Sequence, residues 1–356
     1  MNIPSHRLFT QHISQPNFTR PDEVVSWMGA VQAQDFAAAK WALGLRAQGL
    51  TDAAIEQAFD AGEIIRTHIL RPTWHFVHPA DLRWMLALTW PRVNAYNATY
   101  YRKFELDSEI FRRSNAVLEK ALQGGKALTR PELESVLREA GVPTDDLRVT
   151  MLVMHAELDG VLCSGSRRGK QFTYMLLEER IAPTPARTHE EALAELTLRY
   201  FTSHGPATLA DFAWWSGLSM TEARKGLETV KAQLTAETLA GQTLWFDASS
   251  TAGVTDMPRV DLLPAYDEYT VAYVDRRAIS LGIDLKGLDF RNEGILSYAM
   301  FVNGQFAGPW KRTVKKNEVI VELRPFAPLG EAAAAQALEA ASRYGEFLGL
   351  KVRLDA

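Results

Sequence analysis

From Thr129 the chain places apolar residues at helical spacing, stops, does so again, and then changes to short apolar runs around a basic turn: TRPELESVLREAGVPTDDLRVTMLVMHAELDGVLCSGSRRGKQFTYMLL. Thr129 and Glu132 have the spacing of a capping box, in which each side chain accepts from the other residue's backbone N–H. Gly141-Val142-Pro143 ends that helix, and a second is expected from Thr144 to Leu158, with Gly160 as its stop. Val161 to Ser164 and Gln171 to Leu177 then read as two short strands around GSRRGK.

The same order recurs twice. After a helix from Glu190 to Ser203, Thr208 opens another that Gly217 stops. Ser219 and Glu222 open a third, and two strands meet around Ala240-Gly241. Near the N-terminus a helix runs from Pro21 to Ala30, followed by QAQD and FAAAKWALGLR. Thr51 opens DAAIEQAFDAG, and EIIRTHILRPTWHFV gives two β-rich runs around Arg71-Pro72. Identity between the units is slight; the order of elements and stop signals is what repeats. Helices followed by a hairpin are the winged-helix arrangement, a helix-turn-helix variant.

The last third differs. LLPAYDEYTVAYVD reads as strand, turn, strand. SYAMFVNGQFAGPW has Asn303-Gly304 between alternating apolar residues, a strong hairpin signal. VIVELRPF is a further strand and EAAAAQALEAASRYGEFLG a helix. The expected fold is mainly α with small β-hairpins, α+β in class. Tandem winged-helix repeats occupy residues 1–104, 105–185 and 186–247, with a small β-rich C-terminal domain over 248–356.

The length of 356 residues suits such a multi-unit chain. The single cysteine, Cys163, excludes an internal disulfide and a Cys-rich zinc site, and fits a reducing cytoplasm. The N-terminus MNIPSHRLFTQ has no apolar core of a secretory signal, and no run approaches a membrane span. A net charge of −4 makes any nucleic-acid contact depend on local basic patches.

Two neutral amides, Gln32 and Gln34, stand where the first helix should stop. Asp35 is a good N-cap for the next helix, so the break is expected over Val31 to Gln34. On an extended segment residues two apart share a face. Two readings follow: both amides project into one cleft, or both cap backbone groups at the corner. On the adjoining wing Arg66, His68, Arg71 and His75 are candidate phosphate donors, the competing reading being a solvated wing with His75 in the core. Further basic candidates are Arg167, Arg168 and Lys170, and Lys311, Arg312, Lys315 and Lys316. Asp267-Glu268 and Asp275-Arg276 read either as flanking a site or as a turn and a surface ion pair. No Walker loop, nucleotide-binding glycine fingerprint, HExxH or nucleophile elbow occurs, and His155 stands alone on its helix. No metal or cofactor is expected.

VQAQD, RTHILRPTWHF, LLPAYDEYTVAYVDR and FVNGQFAG, in that order, resemble the AlkZ-type winged-helix DNA glycosylases from about His6 to near the C-terminus. The resemblance implies tandem winged helices around a DNA-sized channel and excision of alkylated purines, including crosslinked ones. It implies Gln32 and Gln34 as catalytic residues of a Gln–apolar–Gln motif. The expected partner is double-stranded DNA carrying alkylated purines, bound by a monomer. The motif holds no lysine nucleophile, so monofunctional hydrolysis is expected. The alternatives are a non-catalytic winged-helix DNA-binding regulator, marked by a self-complementary dimer surface, and a protein-interaction module, marked by an exposed apolar patch.

Overall fold

The computed structural model describes residues 1–249, 258–280, 282–283 and 294–355. After helix α1 (Ile3–Thr10), the first unit runs α2 (Pro21–Met28), β1 (Ala30–Gln32), α3 (Phe36–Arg46), α4 (Asp52–Ala61), β2 (Ile65–Ile69) and β3 (Arg71–Val77). A long helix, α5 (Pro79–Lys103), leads to the second unit: α6 (Ser108–Leu122), β4 (Leu128–Thr129), α7 (Arg130–Glu139), α8 (Arg148–Leu158), β5 (Leu162–Ser164) and β6 (Thr173–Leu176). The one-turn α9 (Leu177–Arg180) follows. The third unit is α10 (His189–His204), α11 (Leu209–Ser216), α12 (Met220–Val230), β7 (Thr235–Leu239) and β8 (Gln242–Phe246).

The repetition goes further than the order of helices and hairpins. In the first unit the strand order is β1-β3-β2, and in the second β4-β6-β5. In both, a short strand between the first two helices pairs with the second hairpin strand. The third unit keeps a remnant of it, a single bridge from Ala207 to Trp245. The turn chemistry explains where each helix begins. Thr129 with Glu132, and Thr208 with Asp211, close capping boxes, and Ser219 accepts from the Glu222 N–H.

The C-terminal part is a five-stranded sheet, ordered β13-β12-β11-β10-β9, with a helix packed on it. Its elements are β9 (Val260–Leu263), α13 (Glu268–Val271), β10 (Ala299–Val302), β11 (Gln305–Val314), β12 (Glu318–Leu323), α14 (Glu331–Leu348) and β13 (Lys351–Asp355). Asn303 and Gly304 both adopt positive φ, 51° and 74°, as a two-residue hairpin turn demands. One expectation is corrected: YTVAYVD does not form a return strand. Asp267 accepts from the Tyr269 N–H and starts the single turn of α13 instead. The fold is mixed α+β. None of the helices among the described residues is long and apolar enough to cross a membrane.

Three apolar clusters hold these parts. One joins the first unit to the C-terminal sheet through Trp41, Leu43, Leu262, Phe301, Trp310 and Tyr344. A second joins the first hairpin and α5 to the third unit. The third, around Leu118, Leu133, Leu152 and Tyr174, belongs almost entirely to the second unit.

Candidate active site

Gly29, with φ of 76°, ends α2 and turns the chain into β1. The strand then pairs antiparallel with β3: Ala30 with Val77, Val31 with Phe76, Gln32 with His75. The ladder extends by one bond, the Ala33 N–H donating to the Trp74 carbonyl at 2.7 Å. Side chains alternate along such a segment. Val31 and Ala33 are buried, and Gln32 and Gln34 take the other face, Gln32 half-buried and Gln34 exposed. Asp35 then caps α3, accepting from the Ala38 N–H at 3.1 Å.

Gln32 lines an open cleft of about 440 Å³. Its other walls are the first hairpin (Arg71, Pro72, Thr73), α5 (Arg92, Val93, Tyr96), α11 (Trp214) and the segment around α13 (Tyr266, Val271, Arg276). Tyr96 is 68% exposed and Trp214 46%, large for aromatic rings. The hairpin tip fits closely against the end of α11: a Cβ on Gly217 would lie 2.0 Å from the Leu70 carbonyl oxygen. Gln34 is not among the lining residues; its side-chain oxygen accepts from the Trp74 N–H at 3.4 Å.

Arg71 is the donor the cleft uses. Its Nη2 donates to Gln32 Oε1 at 3.0 Å and its Nη1 to the Trp214 carbonyl at 3.3 Å. Because a guanidinium only donates, the amide oxygen of Gln32 must face it. That leaves the amide nitrogen and the oxygen's second lone pair for whatever fills the cleft. Burial lowers the Arg71 pKa, a shift opposed by the nearby Glu268 charge. Glu268 is fully buried, accepting from the Gln32 main-chain N–H at 2.7 Å and from Trp215 Nε1 at 3.0 Å. Burial favours its neutral form, but the contact with His204 and the charges of His204, Arg71 and His75 outweigh this and hold it below the usual carboxylate range.

The other wing donors point inward, which corrects the expectation of an exposed row. Arg66 is buried, donates from Nε to the Ala33 carbonyl at 2.9 Å, and lies between the rings of Trp74 and Phe172. His68 is buried against Glu157, Nδ1 to Oε2 2.6 Å. His75 is wholly buried; its Nδ1–H donates to the Thr73 carbonyl at 2.9 Å, and burial, with Arg71 nearby, lowers its pKa to about 3.

The remaining basic candidates divide. Arg167 is paired with Glu56 at 2.5 Å and stacks near Phe36 and Phe172. Arg168 is exposed and pairs with Glu132 at 2.7 Å. Bonds from the Thr129 backbone, Arg168 and the Thr129 hydroxyl lower the Glu132 pKa to about 2. Lys311 is exposed opposite Glu322 in the β11–β12 ladder, and Arg312 lies over the Tyr298 ring and donates to its hydroxyl. Of the acidic candidates, Asp275 pairs with Arg277 at the surface, whereas Asp267 is buried in a two-bond pair with Arg46. His155 stacks on Phe111, ring centroids 3.7 Å apart.

Sequence reading did not single out Tyr96 or Trp214, which carry no motif, or Tyr266, which was quoted only as part of LLPAYDEYTVAYVDR. The YDEY segment was visible as polar residues in an apolar run. Its link to Gln32, 236 positions away, was not.

The sequence model of the family described as DNA glycosylase AlkZ-like matches residues 25–347, and the chain belongs to that family. The solved structure of Streptomyces sahachiroi DNA glycosylase AlkZ superposes with a TM-score of 0.80 over 99% of this chain and 99% of that one, at 19% identity, so the fold is shared along the whole length. No curated protein matches.

Proposed function

We propose that this DNA glycosylase hydrolyses the N-glycosidic bond of N7-alkylated purines in double-stranded DNA, acting as a monomer with Gln32 and Gln34 as its catalytic residues. The observation that carries the reading is the extended segment from Gln32 to Gln34 at the end of β1: one amide on the cleft wall with its oxygen turned by Arg71, the other exposed two positions on. N7 alkylation puts a positive charge on the purine. The C1′–N9 bond then breaks with its electron pair neutralising the base, a water oxygen bonds to C1′, and the water proton passes to solvent. Such a leaving group needs little acid assistance. What the protein supplies is orientation of the water and dipoles beside the developing oxocarbenium ion.

The repeated order of helix, short strand, two helices and hairpin supports reading the three units as winged helices. An open cleft, unlike an enclosing pocket, admits a base still tethered to the opposite strand, so interstrand crosslinks fall within the substrate class. Lys170 and Lys311, exposed on separate hairpins with Arg168 beside Lys170, support phosphate contact there, with Arg71 inside the cleft.

The test is release of 7-methylguanine from alkylated duplex DNA. Wild type should free the base and leave intact abasic strands. Gln32→Ala and Gln34→Ala should each slow release, by about 10²-fold for loss of one oriented group. Full activity in the double substitution would remove the catalytic assignment, and no release from any N7-alkylated duplex would remove the substrate class.

A further inference from the structure

Gln32 is gripped at both its side chain and its main chain. Arg71 holds the amide oxygen, and Glu268 accepts the backbone N–H at 2.7 Å. The second oxygen of Glu268 accepts from Trp215 Nε1 at 3.0 Å, and His204 Nε2 stands 3.5 Å away. One buried carboxylate from the C-terminal part therefore ties β1 to α11, with His204 of α10 beside it. Arg71 in turn is braced on the Trp214 carbonyl, in the same helix as Trp215.

The choice of residue is informative. The strand already has its ladder to β3, so a backbone anchor alone does not require an ion. Both hydrogen-bonded partners of the carboxylate are N–H donors. A carboxylate accepts at each end, whereas an amide would turn an NH2 group towards one of them. A charged acceptor in a wholly buried place is costly unless it offsets another charge. His204 Nε2 stands 3.5 Å from it, and Arg71, the group that orients the reacting amide, is braced on Trp214, next along the chain to the Trp215 that this carboxylate holds.

Resting on the glycosylase reading above, we infer that Glu268 is a positioning residue for base excision: it fixes the main chain of Gln32 and, through Trp215, the turn of α11 on which Arg71 is braced, and Arg71 sets which face of the Gln32 amide meets the substrate. The amide then presents its Nε2 hydrogens and one oxygen lone pair in a fixed direction. A carboxylate that never touches DNA thus governs the geometry of the reaction.

The experiment separates rate from binding. Single-turnover release of 7-methylguanine at saturating enzyme, and the Kd for the same duplex, are measured for wild type, Glu268→Gln and Arg71→Lys. Glu268→Gln should lower the saturated rate by about 10²-fold, the size expected of a small misplacement, with Kd little changed. Arg71→Lys keeps a positive charge but cannot reach both Gln32 and Trp214, and should lower the rate similarly. Arg71 lies on the half-buried hairpin tip, so this variant decides the matter if Glu268→Gln does not fold. Wild-type rates in a folded Glu268→Gln or in Arg71→Lys, or losses confined to Kd, overturn the inference while leaving the glycosylase reading intact. A wild-type protein that releases no alkylated base overturns that reading and this inference with it.

Discussion

The corners of the first two units are built alike and end differently. In the second unit β4 ends on Thr129, which is itself the N-cap of α7. In the third unit the Ala207 bridge is followed at once by the cap Thr208. In the first unit β1 ends at Gln32, and Ala33 and Gln34 intervene before the cap Asp35. The support differs too. The second corner is self-contained, with the Thr129 N–H and hydroxyl both donating to Glu132 at 2.7 and 2.8 Å. The first leans on distant chain: Glu268 under Gln32, and Asp267 on Arg46 of α3. The proposed site is thus a two-residue excursion on a common scaffold, held by outside groups.

The largest expected effect breaks that outside support. Arg46 and Asp267 are joined by bonds of 2.9 and 2.8 Å, with neither side chain reaching solvent to any extent. Asp267→Ala leaves a buried guanidinium whose remaining acceptors are Gln11 and the Ala42 carbonyl. It should cost about 3–5 kcal/mol of stability, the range for breaking one partner of a buried pair. Denaturant unfolding measures it. A loss no larger than that of a surface substitution would mean the first corner is as self-contained as the second.

The same contrast explains what the chain's own pattern revealed. Local signals were legible: the Asp35 cap, the Thr129–Glu132 box, the Asn303-Gly304 turn and the spacing of Gln32 and Gln34 each depend on neighbours within a few residues. The direction of Arg66 was not. Its guanidinium turns inward because Trp74 and Phe172, the latter from the second unit, cover it and Ala33 supplies an acceptor. The role of Glu268 was hidden for the same reason, as its partners come from β1, α10 and α11. α13 was misread because the large residues Tyr269, Val271 and Tyr273 alternate along the sequence as a strand's would, although every residue from Glu268 to Tyr273 is buried and Asp267 caps a helical turn. β13 escaped notice because KVRLD is short, polar and largely exposed, and is recruited by parallel pairing with β12.

A second prediction compares the two hairpins. The first buries His75, with a pKa lowered to about 3 by burial and by Arg71, against an ordinary value of 6.5. Between those values the unfolded chain takes up a proton that the native state refuses. Stability contributed by the neutral ring is therefore complete above pH 6.5 and falls as pH drops towards 3, by up to about 1.4 kcal/mol per pH unit. His75→Asn, which keeps a donor near the Nδ1 position, should flatten the slope of stability against pH across this window, whatever its cost at neutral pH. An unchanged slope would show that His75 is not among the groups that destabilise the fold in acid. In the second hairpin Arg168 pairs with Glu132, whose pKa lies at about 2 against an ordinary 4.5, so substitutions of Arg168 should leave the slope as it is above about pH 4.5 and alter it only below.

The smallest effect concerns the second corner itself. Thr129→Ala removes the hydroxyl that closes the capping box of α7, and should cost about 1 kcal/mol, as N-cap replacements do. Because that corner is held by its own residues, the loss should stay local: hydrogen exchange should quicken in α7 and β4 but not in β1. Base release should keep the wild-type rate, since the second unit's core shares few side chains with the cleft and Thr129 is not among the cleft's lining residues. The matched change in the first unit, Asp35→Ala, removes an N-cap three positions from Gln32 and next to Gln34. It should cost a similar amount of stability and slow excision as well. Equal effects of the two substitutions on excision would mean that the excursion between β1 and α3 gives the first corner no special part in the reaction.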